Sequence, residues 1–201
     1  MARDLAFLDA GEGARVVETA RTWVHLRWWP GLDVSALLTL VLRTGIHVDV
    51  LARPDFRRLR VEVLEGITYV RWNRPKKTGA DAAMAFPIPE AEGAAVRRAV
   101  DQVRARPYRR LHYHRLFREL GRAAGVPRLS PLVLRHTAIE WTARTGISTA
   151  ELCGRFGITP RTALMYQKGP MKDRDVAFLQ RLAPGALPYP GAGGAGPSAG
   201  T

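Results

Sequence analysis

A mainly α fold with one small three-stranded antiparallel sheet is the class this sequence predicts. Apolar residues recur at helical spacing over residues 14–52 and again over 89–182. Between them, over residues 59–88, the apolar period drops to two and a Glu65-Gly66 turn separates two alternating runs. The charge bounds the function. There are 31 Lys plus Arg against 18 Asp plus Glu, a formal +13. The basic residues are spread through the apolar-patterned region, so the folded surface holds a positive potential and a polyanion is the expected partner. Nucleic acid fits that description better than an anionic membrane surface.

The elements follow in order. Val16, Val17, Ala20, Trp23, Val24 and Trp28 share a helical face within residues 14–29, and Pro30-Gly31 stops the helix. Trp28 and Trp29 read as one core and one rim aromatic. Asp33 is placed to cap the next helix, VSALLTLVLRTG, which is apolar on most faces and therefore central. Gly45 closes it. A short helical piece, HVDVLAR, ends before Pro54.

In the strand region, Leu59, Val61 and Val63 are expected on one face, with Ile67, Tyr69 or Val70, and Trp72 on the return strand. RPKKTGAD forms the next turn and carries Lys76 and Lys77. AMAFPIP is a short third strand whose prolines suit a sheet edge. Residues 89–105 return to helix with Ala94, Val96, Ala99, Val100 and Val103 inward. YRRLHYHRLFRELGRAAGV is amphipathic, with Leu116, Phe117 and Leu120 inward and Arg115, Arg118 and Arg122 outward; Gly125 ends it.

Ser130-Pro131 launches a helix that carries Arg135 and His136, with Trp141 in the core. Gly146 breaks the chain before a second helix, and Thr159-Pro160 opens a third that carries Tyr166. A last short helix includes Val176, Phe178, Leu179 and Leu182. One domain is expected over residues 1–182. The Pro/Gly/Ala-rich segment 183–201 has the composition of a disordered tail.

Several chemistries lack their residues. Cys153 is the sole cysteine, so an internal disulfide and a cysteine-rich zinc site are excluded; it reads as a small core residue. The sequence has no GxxxxGK[ST] loop and no HExxH pair. His112 and His114 lie two apart, on different helix faces, so they are not expected to share a metal. The N-terminus carries no signal-peptide run, and VSALLTLVL is too short to span a bilayer. A cytoplasmic, nucleoid-associated location is expected, with no membrane partner.

The order of these pieces resembles the catalytic domain of tyrosine recombinases, the phage integrase and Xer class. LSPLVLRHTA and RTALMY carry the likeness most specifically, supported by Thr44-Gly45-Ile46 closing a buried helix and by KKTG followed by PIP. The resemblance implies double-stranded DNA as partner, action as a homotetramer, and no cofactor or metal. It also implies strand cleavage and rejoining through a 3′-phosphotyrosyl bond. It makes Tyr166 the nucleophile, Arg135 the second phosphate-clamping arginine, and Lys77 the proton donor to the leaving oxygen, with Lys76 as alternate. His47 occupies the position of the first arginine. Arg74, Lys76, Arg155, Arg161 and His136 are the expected further DNA contacts.

Three positions depart from the family pattern. His47 replaces an arginine, Leu132 stands where a histidine is usual, and the third donor has only Arg155 or Gly157 to offer. Losing one preorganised donor costs roughly 2.7–4 kcal/mol in an acyl-transfer site, so impaired catalysis is expected. The chain also begins almost at the catalytic-type domain, so no N-terminal core-binding domain is expected. DNA binding from one face would then be salt-sensitive. A different reading takes ISTAELCGRFGITPRTALMYQKG as a helix-turn-helix. Ala150, Leu152 and Cys153 would lie inward, Gly157 at the turn and Arg161 at the start of the second helix. Tyr166 is then a packing residue, and the protein a non-catalytic DNA-binding regulator or accessory protein.

Overall fold

The computed structural model describes residues 6–23, 29, 31–52, 59–75, 81–106 and 108–167, without the side chains of residues 73–75, 81–83 and 167. The expected last helix, the tail, Trp28 and the lysine turn lie outside the described residues. The described chain is mainly helical, with one three-stranded antiparallel sheet of order β1-β2-β3.

Helix α1 (Ala10–Thr22) starts earlier than its apolar spacing indicates and stops at Thr22, short of residue 29. The start is set by a capping box. Asp9 accepts from the Glu12 amide at 2.9 Å, and Glu12 accepts from the Asp9 amide at 3.0 Å. Glycine at position 13 lets α1 approach another helix: a Cβ there would lie 3.0 Å from the Trp141 ring. Trp29 is buried and Trp141 is a core residue, as expected.

Helix α2 (Val34–Thr44) is the central element, with nearly every side chain buried. Asp33 accepts from the Ala36 amide at 2.9 Å. Gly45 ends the helix at φ 55°, a left-handed conformation that suits glycine. His47 then caps the one-turn helix α3 (Val48–Leu51).

Strands β1 (Arg60–Leu64), β2 (Ile67–Pro75) and β3 (Asp81–Ile88) pair with Val61 opposite Val70, Val70 opposite Phe86 and Trp72 opposite Met84. The inner face is Val70, Trp72, Met84, Phe86 and Ile88. Val63 and Ile67 do not join it; they are 55% and 45% exposed. The alternation is present there, but the hairpin end extends past the helical layer. β3 is longer than its apolar run suggests, because pairing with β2 continues back to Asp81.

Helix α4 (Glu90–Ala105) buries Val96, Ala99, Val100 and Val103. Ala94 is exposed, because Glu92 and Gly93 take the inward positions. Helix α5 (Arg110–Ala123) buries Tyr113, Leu116, Phe117 and Leu120 and turns Arg115, Arg118 and Arg122 outward. Helices α6 (Pro131–Ala143), α7 (Thr149–Phe156) and α8 (Pro160–Gln167) start where the cap signals place them. Ser130 accepts from the Val133 amide at 3.2 Å, and Ser148 with Glu151 forms a second capping box. No helix among the described residues is long and apolar enough to cross a membrane.

One buried ion pair interrupts the apolar centre. Arg43 on α2 donates through Nε and Nη2 to both carboxylate oxygens of Glu92 on α4, with the two side chains 5% and 7% exposed. Arg43 Nη1 has no hydrogen-bond partner among the described residues. Removing one ion leaves the other desolvated, at a cost of about 3–5 kcal/mol, whereas an apolar pair of similar volume is close to neutral or stabilising. Glu92→Ala is therefore expected to lower unfolding free energy by that amount in urea titrations. The double variant Arg43→Met/Glu92→Leu should recover most of it. A double variant as unstable as the single one would contradict this.

Candidate functional site

Arg135 stands on the second turn of α6 and faces two other helix ends. Its Nη1 donates to the Gly45 carbonyl and its Nη2 to the Phe156 carbonyl, the latter at 2.7 Å. Both carbonyls belong to C-terminal turns, those of α2 and α7, where backbone oxygens lack intrahelical donors and the peptide dipoles point their negative ends. A guanidinium satisfies both at once. The junction is tight: a Cβ on Gly45 would lie 2.8 Å from the Phe156 ring.

The sheet is tied to the same point through aromatic rings. Phe156 meets Phe86 edge-on at 5.2 Å, and Phe86 stacks on Trp72 at 5.1 Å with 6° between planes. Strands β2 and β3 are thus held by their inner faces against the end of α7. The β2–β3 turn bearing Lys76 and Lys77 lies outside the described residues. Arg74 is placed by its backbone in β2, its side chain not described.

Helix α8 lays Ala163 and Tyr166 inward, with Tyr166 3% exposed. The Tyr166 ring meets the His136 ring edge-on at 6.2 Å. Burial pushes the Tyr166 phenol up to about 12; the Arg135 charge opposes that shift and the Glu140 charge adds to it. Tyr166, Arg135 and His136 are therefore neighbours, and Glu140 shares their surroundings. Glu140, paired with Arg144 at 2.9 Å, is a buried acid that sequence reasoning missed. A carboxylate inside an otherwise apolar helical stretch was the available signal.

His136 is half-buried between α8 and the N-terminal segment. Burial lowers its pKa, a hydrogen bond to the Ala6 carbonyl raises it, and Arg135 lowers it again. The net shift favours the neutral imidazole, and its Nδ1 is buried without a hydrogen-bond partner among the described residues. The segment that covers it is anchored nearby: the Leu8 amide donates to Thr137 Oγ1 at 2.9 Å, and Arg128 donates to the Phe7 carbonyl at 3.1 Å.

His47 is exposed and points into its own helix start. Its Nδ1 accepts from the Asp49 amide at 3.3 Å and lies 3.0 Å from the Asp49 carboxylate. Chain connectivity keeps it near the Arg135 junction, two residues beyond Gly45. Leu132, on the first turn of α6, is 55% exposed. Arg155 is half-buried beside Phe156, and Arg161 is exposed at the start of α8. Helices α7 and α8 and the left-handed Gly157 do form a helix–turn–helix, with Leu152 buried and Cys153 half-buried. Ala150 is exposed, because the short α7 turns that side away from α8.

The Tyr166 titration carries a stability consequence. Its folded pKa is raised above the ordinary value of 10.0 to about 12, so the folded state favours the neutral phenol. That contribution is complete below pH 10 and is lost as pH rises through about 12. It amounts to roughly 2–3 kcal/mol at 1.36 kcal/mol per unit. Unfolding titrations from pH 9 to 12 should show a steeper loss in the wild type than in Tyr166→Phe; parallel curves would contradict the burial of this phenol.

No family model and no curated protein sequence matches the chain. Solved structures do. A XerA recombinase matches at 21% identity and TM-score 0.58, over 85% of this chain and 62% of that one. XerH site-specific recombinase, bound to its difH substrate in a pre-cleavage complex, matches at 11% identity and TM-score 0.64, over 88% of this chain and 54% of that one. Tn1549 transposon integrase, in complex with a circular intermediate DNA, matches at 15% identity and TM-score 0.60, over 90% of this chain and 67% of that one. The chain spans about half to two thirds of the length of the structures it matches. At these identities the likeness establishes the fold, which is that of a tyrosine-recombinase catalytic domain in strongly divergent form.

Proposed function

We propose that this chain binds double-stranded DNA and cleaves and rejoins its strands through Tyr166, at a rate reduced by an incomplete set of phosphate donors. One observation carries the proposal. Helix α8 packs Tyr166 onto α6 within the field of the Arg135 guanidinium, in a fold shared with recombinases whose solved structures hold DNA.

The chemistry is an exchange of esters at phosphorus. The Tyr166 hydroxyl gives up its proton to water as its oxygen forms a bond to phosphorus and the bond to the 5′-oxygen breaks, leaving a 3′-phosphotyrosyl link. Lys77 is assigned the proton that the leaving oxygen takes, with Lys76 as alternate. A free 5′-hydroxyl then attacks the same phosphorus, and the tyrosine oxygen leaves and regains its proton. No metal or nucleotide is required, because the covalent bond conserves the energy of the cleaved one. Arg135 is assigned to the charge that builds on the non-bridging oxygens, a task suited to a planar fork of donors.

Two rearrangements follow from the resting geometry. Tyr166 is 3% exposed, so α8 must shift for the phenol to meet a phosphate. Arg135 already holds two carbonyls, so it must exchange or share a donor when phosphate arrives. His47 supplies an imidazole partnered by Asp49 where an arginine would supply a fork. Leu132 supplies nothing polar. Action as a tetramer on DNA in the cytoplasm belongs to the same proposal.

A second reading has its own support. The buried phenol and the carbonyl-bound guanidinium suit a DNA-binding protein without turnover, using the α7–α8 helix–turn–helix with Arg161 at its exposed start. Incubation with a random-sequence pool of nicked duplexes distinguishes the two. Under the first reading a detergent-resistant protein–DNA adduct accumulates, and Tyr166→Phe abolishes it. Duplex binding with no adduct at any sequence would leave only the non-catalytic binder.

A further inference from the structure

We propose that His136 is a positioning residue through which the N-terminal segment, residues 6–9, holds Tyr166 in its closed seat. The inference deepens the function proposed above, because it names what restrains the phenol assigned to attack phosphorus. The coupling itself is measured on the protein without DNA.

The segment is fastened to α6 and the loop before it at successive residues. The Ala6 carbonyl accepts a hydrogen bond from the His136 imidazole. The Phe7 carbonyl accepts from Arg128 at 3.1 Å, and the Phe7 ring lies under the Arg144 guanidinium at 5.9 Å. The Leu8 amide donates to Thr137 Oγ1 at 2.9 Å, and the Leu8 side chain is buried. Asp9 then caps α1, whose Glu12 pairs with the same Arg128. Successive residues held by different contacts are confined to one path across α6.

His136 is where that path meets α8. The imidazole holds the Ala6 carbonyl, and the Tyr166 ring packs against it edge-on at 6.2 Å. The imidazole Nδ1 has no hydrogen-bond partner among the described residues. The orientation of the ring therefore rests on the carbonyl and on the phenol packed against it. Helix α8 is an element that such a contact can hold. Two turns of helix are marginal on their own, so its position depends on packing. Ala163 and Tyr166 are buried, while Leu164 and Met165 are exposed. One of the two buried side chains thus rests on a ring whose own position is set by residue 6. Undocking of the segment frees that ring and removes one wall of the Tyr166 seat.

Hydrogen exchange of the full chain tests the coupling. The α8 amides report local opening of that helix, and the α2 amides report global unfolding. Thr137→Val removes the acceptor of the Leu8 amide and touches no group assigned to the reaction. If α8 opens only as the segment undocks, its amides exchange roughly two- to tenfold faster in this variant, the factor that loss of one neutral hydrogen bond gives. Arg128→Gln, at an exposed side chain, loosens Phe7 and should act the same way. His136→Phe keeps an aromatic ring beside Tyr166 but loses the Ala6 bond. In that background Thr137→Val is expected to leave α8 exchange unchanged. Faster α2 exchange with unaltered α8 exchange in Thr137→Val and Arg128→Gln overturns the coupling. So does acceleration of α8 by Thr137→Val that is as large in His136→Phe as in the wild type. In the nicked-duplex assay, Thr137→Val should form adduct faster than the wild type, and equal rates would show that the segment does not restrain the phenol. Absence of adduct from both chains, with α8 exchange still responding as expected, overturns the catalytic reading and leaves the coupling standing.

Discussion

The Arg135 guanidinium joins the C-terminal turns of two helices whose carbonyl oxygens lie 90 and 21 residues away in sequence. Helix ends are the places where a folded chain most needs donors, because the last carbonyls have none within the helix. Burying two such ends against each other would strand their oxygens and oppose two negative dipole ends. A cation between them resolves both problems, since hydrogen bonds from a charged donor contribute about 1.5–3 kcal/mol each. Gly45 is tied to the same constraint: only a residue without a Cβ lets the end of α2 touch the Phe156 ring. The aromatic contacts from Phe156 through Phe86 to Trp72 extend the junction into the sheet.

That arrangement brings the Arg135 charge to bear on a phenol that is itself buried. Tyr166 experiences the Arg135 charge, yet burial dominates and keeps the hydroxyl protonated at neutral pH. Its other near neighbour, His136, is an imidazole pinned by the N-terminal segment. The resting site is therefore electrostatically prepared and sterically closed. Access to the phenol then depends on how easily α8 moves. It is two turns long and packs mainly through Ala163 and Tyr166, so its separation from α6 exposes little apolar surface compared with the buried length of α2.

The basic surface has a different logic. Arginines on α5 are outward because Tyr113, Leu116, Phe117 and Leu120 take the inward stripe. Their potential acts over a Debye length, whereas the Arg135 junction acts over contact distance.

Local signals settled much of the fold before any tertiary contact was considered. Asp33, Ser130 and Pro160 mark helix starts, and Gly45, Gly125 and Gly157 mark ends, because capping needs only neighbours within a turn. Period two against period 3.6 separated sheet from helix for the same reason. The family resemblance also brought forward Arg135 and Tyr166, which the fold sets near each other. It did not show what each touches. The exposure of Val63, Ile67 and Ala94, the burial of Arg43 with Glu92, the two carbonyls on Arg135, and the closing of Tyr166 onto His136 all depend on which element lies opposite. Those facts are decided by packing between segments far apart in the chain, and a residue's own neighbours in sequence carry no record of it.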